Sequence, residues 1–328
     1  MNPHEAERFI DDNISVTHQM VVVAKQFAAN HPTGDSASLI NAFLKEMGAV
    51  MPQEVVVHHT VDSEANAKQA AESISWQVAM CEAIWSLVHD NVFLPVDGHL
   101  YNPDFSVGYT TIVQYSGGER GGWQFNQHAL SVPNRFKISP SLKSVQDQAL
   151  CDGDLYLHNL NIASIHPEVE EALHEAVKCF RHELYTPALA MLAKASEGAW
   201  LELGASLLKA LPNIAKASAD KREKELASPW VSVARKVQVV LELYTHPELK
   251  PVRENSQVDE KDLKQVLVWS DVVRESRNVI HYAVQAPTAN TYEKVAALLL
   301  GAVPHLRIIY RVYDASTTVA KENAAKDI

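Results

Sequence analysis

Four side chains within eight residues have the types and spacing to hold an anion and move a proton: Arg274, Arg277, Asn278 and His281. On a helix, Arg274, Arg277 and His281 follow one another at steps of three and four, which puts them on one face. They span about 10 Å of axis at 1.5 Å per residue. A guanidinium presents a planar fork of donors suited to a carboxylate or a phosphate. An imidazole titrates near 6.5 when unperturbed, so it can both take and give a proton close to neutrality. Asn278, beside them, can orient a substrate or the imidazole.

The row that carries these residues begins apolar: Leu263, Leu267, Ser270, Arg274, Arg277, His281. A neighbouring stripe of Val266, Trp269, Val273, Ser276 and Ile280 is expected to face a core. Cations on the border of an apolar face are costly unless an anion meets them. Three sources are open. Glu197, set among Ala and Leu residues, is the first choice for an internal carboxylate; a second copy of the chain or a ligand phosphate are the others. If Glu197 takes Arg277 and His281 caps the last carbonyls of its helix, the cluster is a structural fixture. That reading stands beside the functional one.

The run Arg274-Glu275-Ser276-Arg277-Asn278-Val279-Ile280-His281 resembles the Arg-x(4–6)-His signature of the HEPN superfamily (higher eukaryote and prokaryote nucleotide-binding domains). Arg274 and His281 meet it with six residues between them. Arg277 is followed by the polar Asn278, as the family's arginine often is, yet only three residues separate it from His281; the motif arginine is therefore open between the two. Residues 176–203 are also similar to the opening helix pair of bacterial members, and the resemblance covers about residues 167–314.

The resemblance implies a metal-independent endoribonuclease that needs no cofactor and works on RNA as a homodimer, in a toxin-like or phage-defence role. Arg274, Arg277, Asn278 and His281 would be its catalytic residues, with Glu197, Ser270 and Tyr282 in support. A 2′-hydroxyl would attack the adjacent phosphate, His281 would shuttle the proton, and an arginine would stabilise the phosphoryl charge, leaving a 2′,3′-cyclic phosphate. The alternative is a non-catalytic HEPN-like module for dimerisation or nucleotide binding.

The elements that must position these residues are mainly helical. Pro167 at a first helical position and Glu168, Glu170 and Glu171 after it open a helix to Leu184. Helices follow over Thr186–Leu211, Ala219–Tyr244, Asp259–Tyr282 and Thr291–Tyr313, the third interrupted near Pro229 and the fifth bent near Pro304. These five make an HEPN-like bundle across 167–314, with 315–328 as a tail. Residues 1–146 read as an α+β domain that regulates or binds a partner protein, and 147–166 as a linker. Helices are expected over Glu5–Ala29, Ser36–Met47 and Ala65–His89, the last with a core stripe of Ile74, Val78, Cys81, Trp85 and Val88. Glu54–Thr60, Gly108–Tyr115 and Gly122–Phe125 are strand-like. Helices followed by a hairpin are compatible with a winged-helix unit.

Other patterns are weaker. Ser116–Gly122 is rich in glycine, but strand-like sequence flanks it and no helix follows, so it reads as a hairpin tip rather than a phosphate cradle. Asp152 and Asp154 read as a turn, His58-His59 lies on a strand-like run rather than at a metal site, the pair His174 and His182 lacks the i,i+4 spacing of a helical metal pair, and Trp200, Trp230 and Trp269 read as core anchors rather than base-stacking platforms. The three cysteines Cys81, Cys151 and Cys179 lie far apart and suggest neither a disulfide framework nor a thiolate metal site. Net charge is −11, which speaks against a nucleic-acid binder until it is divided. Residues 1–166 hold 8 Lys and Arg against 18 Asp and Glu; residues 167–328 hold 21 against 22. The acidity lies in the first half, so the second is free to offer a local basic surface. The first residues carry no basic run typical of a secretory signal, and no stretch approaches the roughly 18 apolar residues of a membrane span. A cytoplasmic location, with no membrane partner, is the expectation.

Overall fold

The computed structural model describes residues 2–31, 34–52, 54–57, 63–111, 118–140, 149–280 and 288–326. The chain is mainly helical and forms two compact units, residues 1–148 and 149–328.

In the first unit, α1 (Pro3–Asn13), α2 (His18–Asn30) and α3 (Ser36–Glu46) pack on α4 (Ser63–His89). The helix expected over Glu5–Ala29 is two. Ile14 is extended, the Ser15 N–H donates to Ser75 Oγ of α4 at 3.0 Å, and Thr17 restarts the helix by accepting from the Met20 N–H. Two β-branched residues and a good N-cap outweigh the apolar periodicity there. Asp35 caps α3, as its position suggests. Strand β1 (Val55–Val57) runs parallel to β4 (Ser106–Thr111), which pairs antiparallel with β5 (Arg120–Gln124) as a hairpin. Short pairs β2 (Phe93–Pro95) with β7 (Phe136–Ile138), and β3 (Leu100–Tyr101) with β6 (Val132–Pro133), complete the unit. Ile74, Val78 and Cys81 of the expected stripe are buried, but Trp85 is half-exposed and bonds Ser131 O through Nε1; Ile84 and Leu87 fill the core instead.

The second unit is built around α7 (Tyr185–Ala210), whose run of Ala, Ser and Gly residues lets neighbours approach closely. It packs against α6 (Pro167–Arg181), α9 (Val233–Tyr244), α11 (Glu260–Arg277) and α12 (Tyr292–Lys326). The third expected helix divides into α8 (Asn213–Ala227) and α9, because Pro229 breaks it and Ser232 caps the restart. The short α10 (Lys250–Ser256) precedes α11. The Cys151–Asp154 segment is more than a turn: Asp152 accepts from the Asp154 and Leu155 N–H groups and starts α5 (Gly153–Leu160).

Pro304 does not end or visibly divide α12, which runs on through Lys326. Proline supplies no N–H for the carbonyl one turn back. The carbonyl that loses its helical donor is Leu300 O, and its neighbours take side-chain donors as additional partners: Trp269 Nε1 reaches Leu298 O at 3.2 Å, Tyr156 OH reaches Leu299 O at 2.7 Å, and His305 Nδ1 bonds Gly301 O. Among the described residues α12 is the one helix long and apolar enough to cross a membrane, and 56% of that apolar window is buried within the protein. Val295, Leu299, Leu306 and Ile309 account for much of that composition as core residues.

Candidate functional site: the C-terminal end of α11

Asp259 and Asp262 form a capping box that starts α11, and Leu263, Val266, Trp269 and Val273 bury its core face. The helix then ends earlier than its periodicity suggests. Arg277 is its last residue; Asn278 follows, with its N–H shared between Arg274 O and Glu275 O, and a 3-10 turn spans Asn278–Ile280. Asn290 Nδ2 approaches Ser276 O at 3.4 Å, the acceptor that the next helical turn would use. Ile280, expected in the core stripe, is accordingly half-exposed. A tighter turn rotates it away from the face that Ser276 occupies. His281 and Tyr282 lie outside the described residues.

The described members of the cluster are brought together. Arg277 Nη2 donates to Glu197 Oε1 of α7 at 2.9 Å, and Arg274 Nη2 to Asp271 Oδ1 at 3.0 Å. Both arginine side chains are 26% exposed, and each commits one of a guanidinium's five donors to its carboxylate. Arg277 Nε is buried without a partner among the described residues. Ser270 is different: it is buried and accepts from Trp200 Nε1 and Ser196 Oγ, both at 3.0 Å. Its role is to satisfy a core indole, not to face a substrate.

Glu197, Ser270, Asp271, Arg274, Leu267 and Val233 border a cleft between α7, α9 and α11 of only about 10 Å³, room for one water at most. A hollow of about 510 Å³ lies between α7 and α8 against Leu201, Leu208 and Leu226, and none of Arg274, Arg277 and Asn278 lines it. Arg274 therefore borders, among the described residues, a narrow cleft and not a ligand-sized pocket. Among the described residues, no three His, Cys, Asp or Glu side chains converge as metal ligands would.

Two groups escaped the sequence reading. Trp200 and Trp269 are core residues, but Trp230 is 94% exposed, because it sits in the turn that Pro229 opens and not on a helix face. The other is a contact chain of His166, Glu202 and Tyr310. Tyr310 OH donates to Glu202 Oε2 at 2.9 Å, and His166 Nδ1 lies 3.2 Å from Glu202 Oε1. Burial pushes the Glu202 carboxyl above the usual range, against the opposing pull of Tyr310 and His166. Its members lie far apart in the chain, so no local spacing could reveal it.

No protein-family model, curated protein or solved structure matches this chain.

Proposed function

We propose that the second unit is an HEPN-like helical domain and a metal-independent endoribonuclease, acting as a homodimer in the cytoplasm in a toxin-like or phage-defence role. One observation carries this reading. Two arginines one turn apart close α11, each anchored by one carboxylate while its guanidinium stays partly open to solvent. Such an anchored, half-open fork is pre-aimed at phosphoryl oxygens. In the reaction, the 2′-oxygen bonds to phosphorus as its proton passes to the His281 imidazole. The bond from phosphorus to the 5′-oxygen breaks, and that oxygen takes up a proton. Arg274 and Arg277 stabilise the charge on the non-bridging oxygens, with Asn278 beside them. The first unit serves regulation or partner binding. Its hairpin β4–β5 follows helices, as a wing does, which is the support for a winged-helix comparison.

The second reading is a non-catalytic dimerisation or nucleotide-binding module. The Arg277–Glu197 pair favours it, since that bond neutralises the cation within one chain. Purified protein incubated with RNA in a chelator separates the two. Fragments ending in 2′,3′-cyclic phosphate, lost in His281→Ala and Arg277→Ala variants that still melt cooperatively, support the ribonuclease. An intact wild-type chain that leaves a broad RNA pool uncut at high enzyme concentration overturns it.

A further inference from the structure

Trp230 is the most exposed large apolar side chain described in the molecule, at 94%, and it is held firmly. Pro229 fixes the backbone before it, the Trp230 N–H bonds Ser228 Oγ at 3.2 Å, and Ser232 caps α9 two residues later. Arg235 fastens the helices on either side of the turn, reaching Glu225 of α8 at 2.8 Å and Glu242 of α9 at 2.7 Å. The backbone that carries the indole thus stands on a stapled helical hairpin and has little freedom to lose when something covers the ring.

The surroundings choose the occupant. Residues 213–244, the two helices and their turn, carry six Lys or Arg against four Asp or Glu, an excess of two positive charges within a chain of net charge −11. Lys221 and Lys224, late in α8, are exposed. Val233, three residues beyond Trp230, borders the same narrow cleft as Arg274. Three residues of chain reach about 10 Å at most, so the backbone of Trp230 lies within that reach of a residue that lines the cleft. An aromatic face next to a basic strip is the arrangement that holds single strands: bases stack without regard to sequence while cations follow the phosphates. A duplex stacks its bases on one another and offers the indole a free face only at its ends.

We propose that Trp230 is a stacking platform for a base of single-stranded nucleic acid, with the cations of the α8–α9 hairpin along its backbone. This proposal rests on the ribonuclease reading for its biological ligand, yet it is tested by binding alone. The probe is a fluorescein-labelled 12-nucleotide 2′-O-methyl RNA, unstructured and unable to undergo 2′-hydroxyl attack, titrated with the full chain in a chelator. Trp230→Ala is expected to bind about tenfold more weakly with an unchanged salt dependence, whereas Trp230→Phe stays within about threefold of wild type. Lys221→Ala with Lys224→Ala is expected to flatten the slope of log K against log salt by about one unit. At 94% exposure, Trp230→Ala should leave the melting temperature unchanged.

Equal binding by Trp230→Ala and wild type overturns the proposal. So does equal affinity for a blunt duplex of the same length, or no binding by wild type at low salt. A Trp230→Ala variant that loses only self-association assigns the indole to a protein interface and also overturns it. Binding without any cleavage of unmodified RNA would leave this proposal standing and sink the ribonuclease reading. Cleavage and binding both indifferent to Trp230→Ala would do the reverse.

Discussion

Arg277 Nη2 bonds Glu197 Oε1 at 2.9 Å, tying the end of α11 to the middle of α7. Both side chains are roughly a quarter exposed, so the pair contributes on the order of 1 kcal/mol to stability. Glu197→Gln should therefore lower the melting temperature by only a few degrees. If the arginine acts on phosphate, Arg277→Ala should cut RNA cleavage by about 10²-fold or more while its melting temperature falls no further than that of Glu197→Gln. Parallel melting curves and single-turnover cleavage rates check both halves.

Ser270→Ala separates scaffold from chemistry. The variant leaves Trp200 Nε1 buried without its acceptor, a loss of about 1–3 kcal/mol. Ser270 faces the core, so the cleavage rate of the folded fraction should stay at the wild-type value. A large fall in rate at full folding would move Ser270 back into the site.

Gly204→Ala tests the close approach of α7 to its neighbours. A Cβ there would stand 2.8 Å from Val240 Cγ2 and 3.1 Å from Leu226 Cδ1. Alanine gains about 1 kcal/mol of helix propensity, but overpacking costs about 1–3 kcal/mol, and valine's branched side chain has few ways to yield. The expected result is a net loss of up to about 2 kcal/mol by denaturant titration, in contrast to the gain that an open helical glycine would show.

Two carboxylates predict opposite pH limbs. His128 holds Asp11 below its usual range through a 2.7 Å bond to Nε2, and Gln127 adds a second. A lowered folded-state pKa contributes stability above the unfolded value that is lost as pH falls through the folded one. Glu202, raised chiefly by burial, works the other way: its contribution is present below the unfolded carboxylate range and fades as pH rises through the folded value. Asp11→Asn should flatten the acid limb of stability, and Glu202→Gln the decline above it, in melting curves recorded from pH 3 to 7.

What could be read in advance follows from how local each cause is. Asp35 and Pro167 act within one turn of themselves, and the helices they start lie where their types put them. Glu197 pairs with Arg277 as its setting implies, because an acidic residue in an Ala- and Leu-rich helix needs a cation. The failures depend on distant partners. Ser15 interrupts the first helix by bonding Ser75, sixty positions away. Asn290 meets the carbonyl at the end of α11 from beyond the next loop, and so removes Ile280 from the stripe its spacing implied. Trp230 has the aromatic bulk of a core anchor, but a neighbouring proline places it in an exposed turn.

The acceptors around Pro304 have a consequence for how the second unit comes apart. Two of the donors there belong to other helices, Tyr156 of α5 and Trp269 of α11. The middle of the longest helix is thus tied by side-chain bonds to two remote segments. Local opening around the proline that frees Leu298 O breaks the Trp269 bond that joins α12 to α11. Amide exchange should therefore find the motif helix and the centre of α12 opening together as one cooperative unit, while the last turns of α12 fray independently. The arginines would then keep their alignment for as long as the unit remains closed, and lose it all at once.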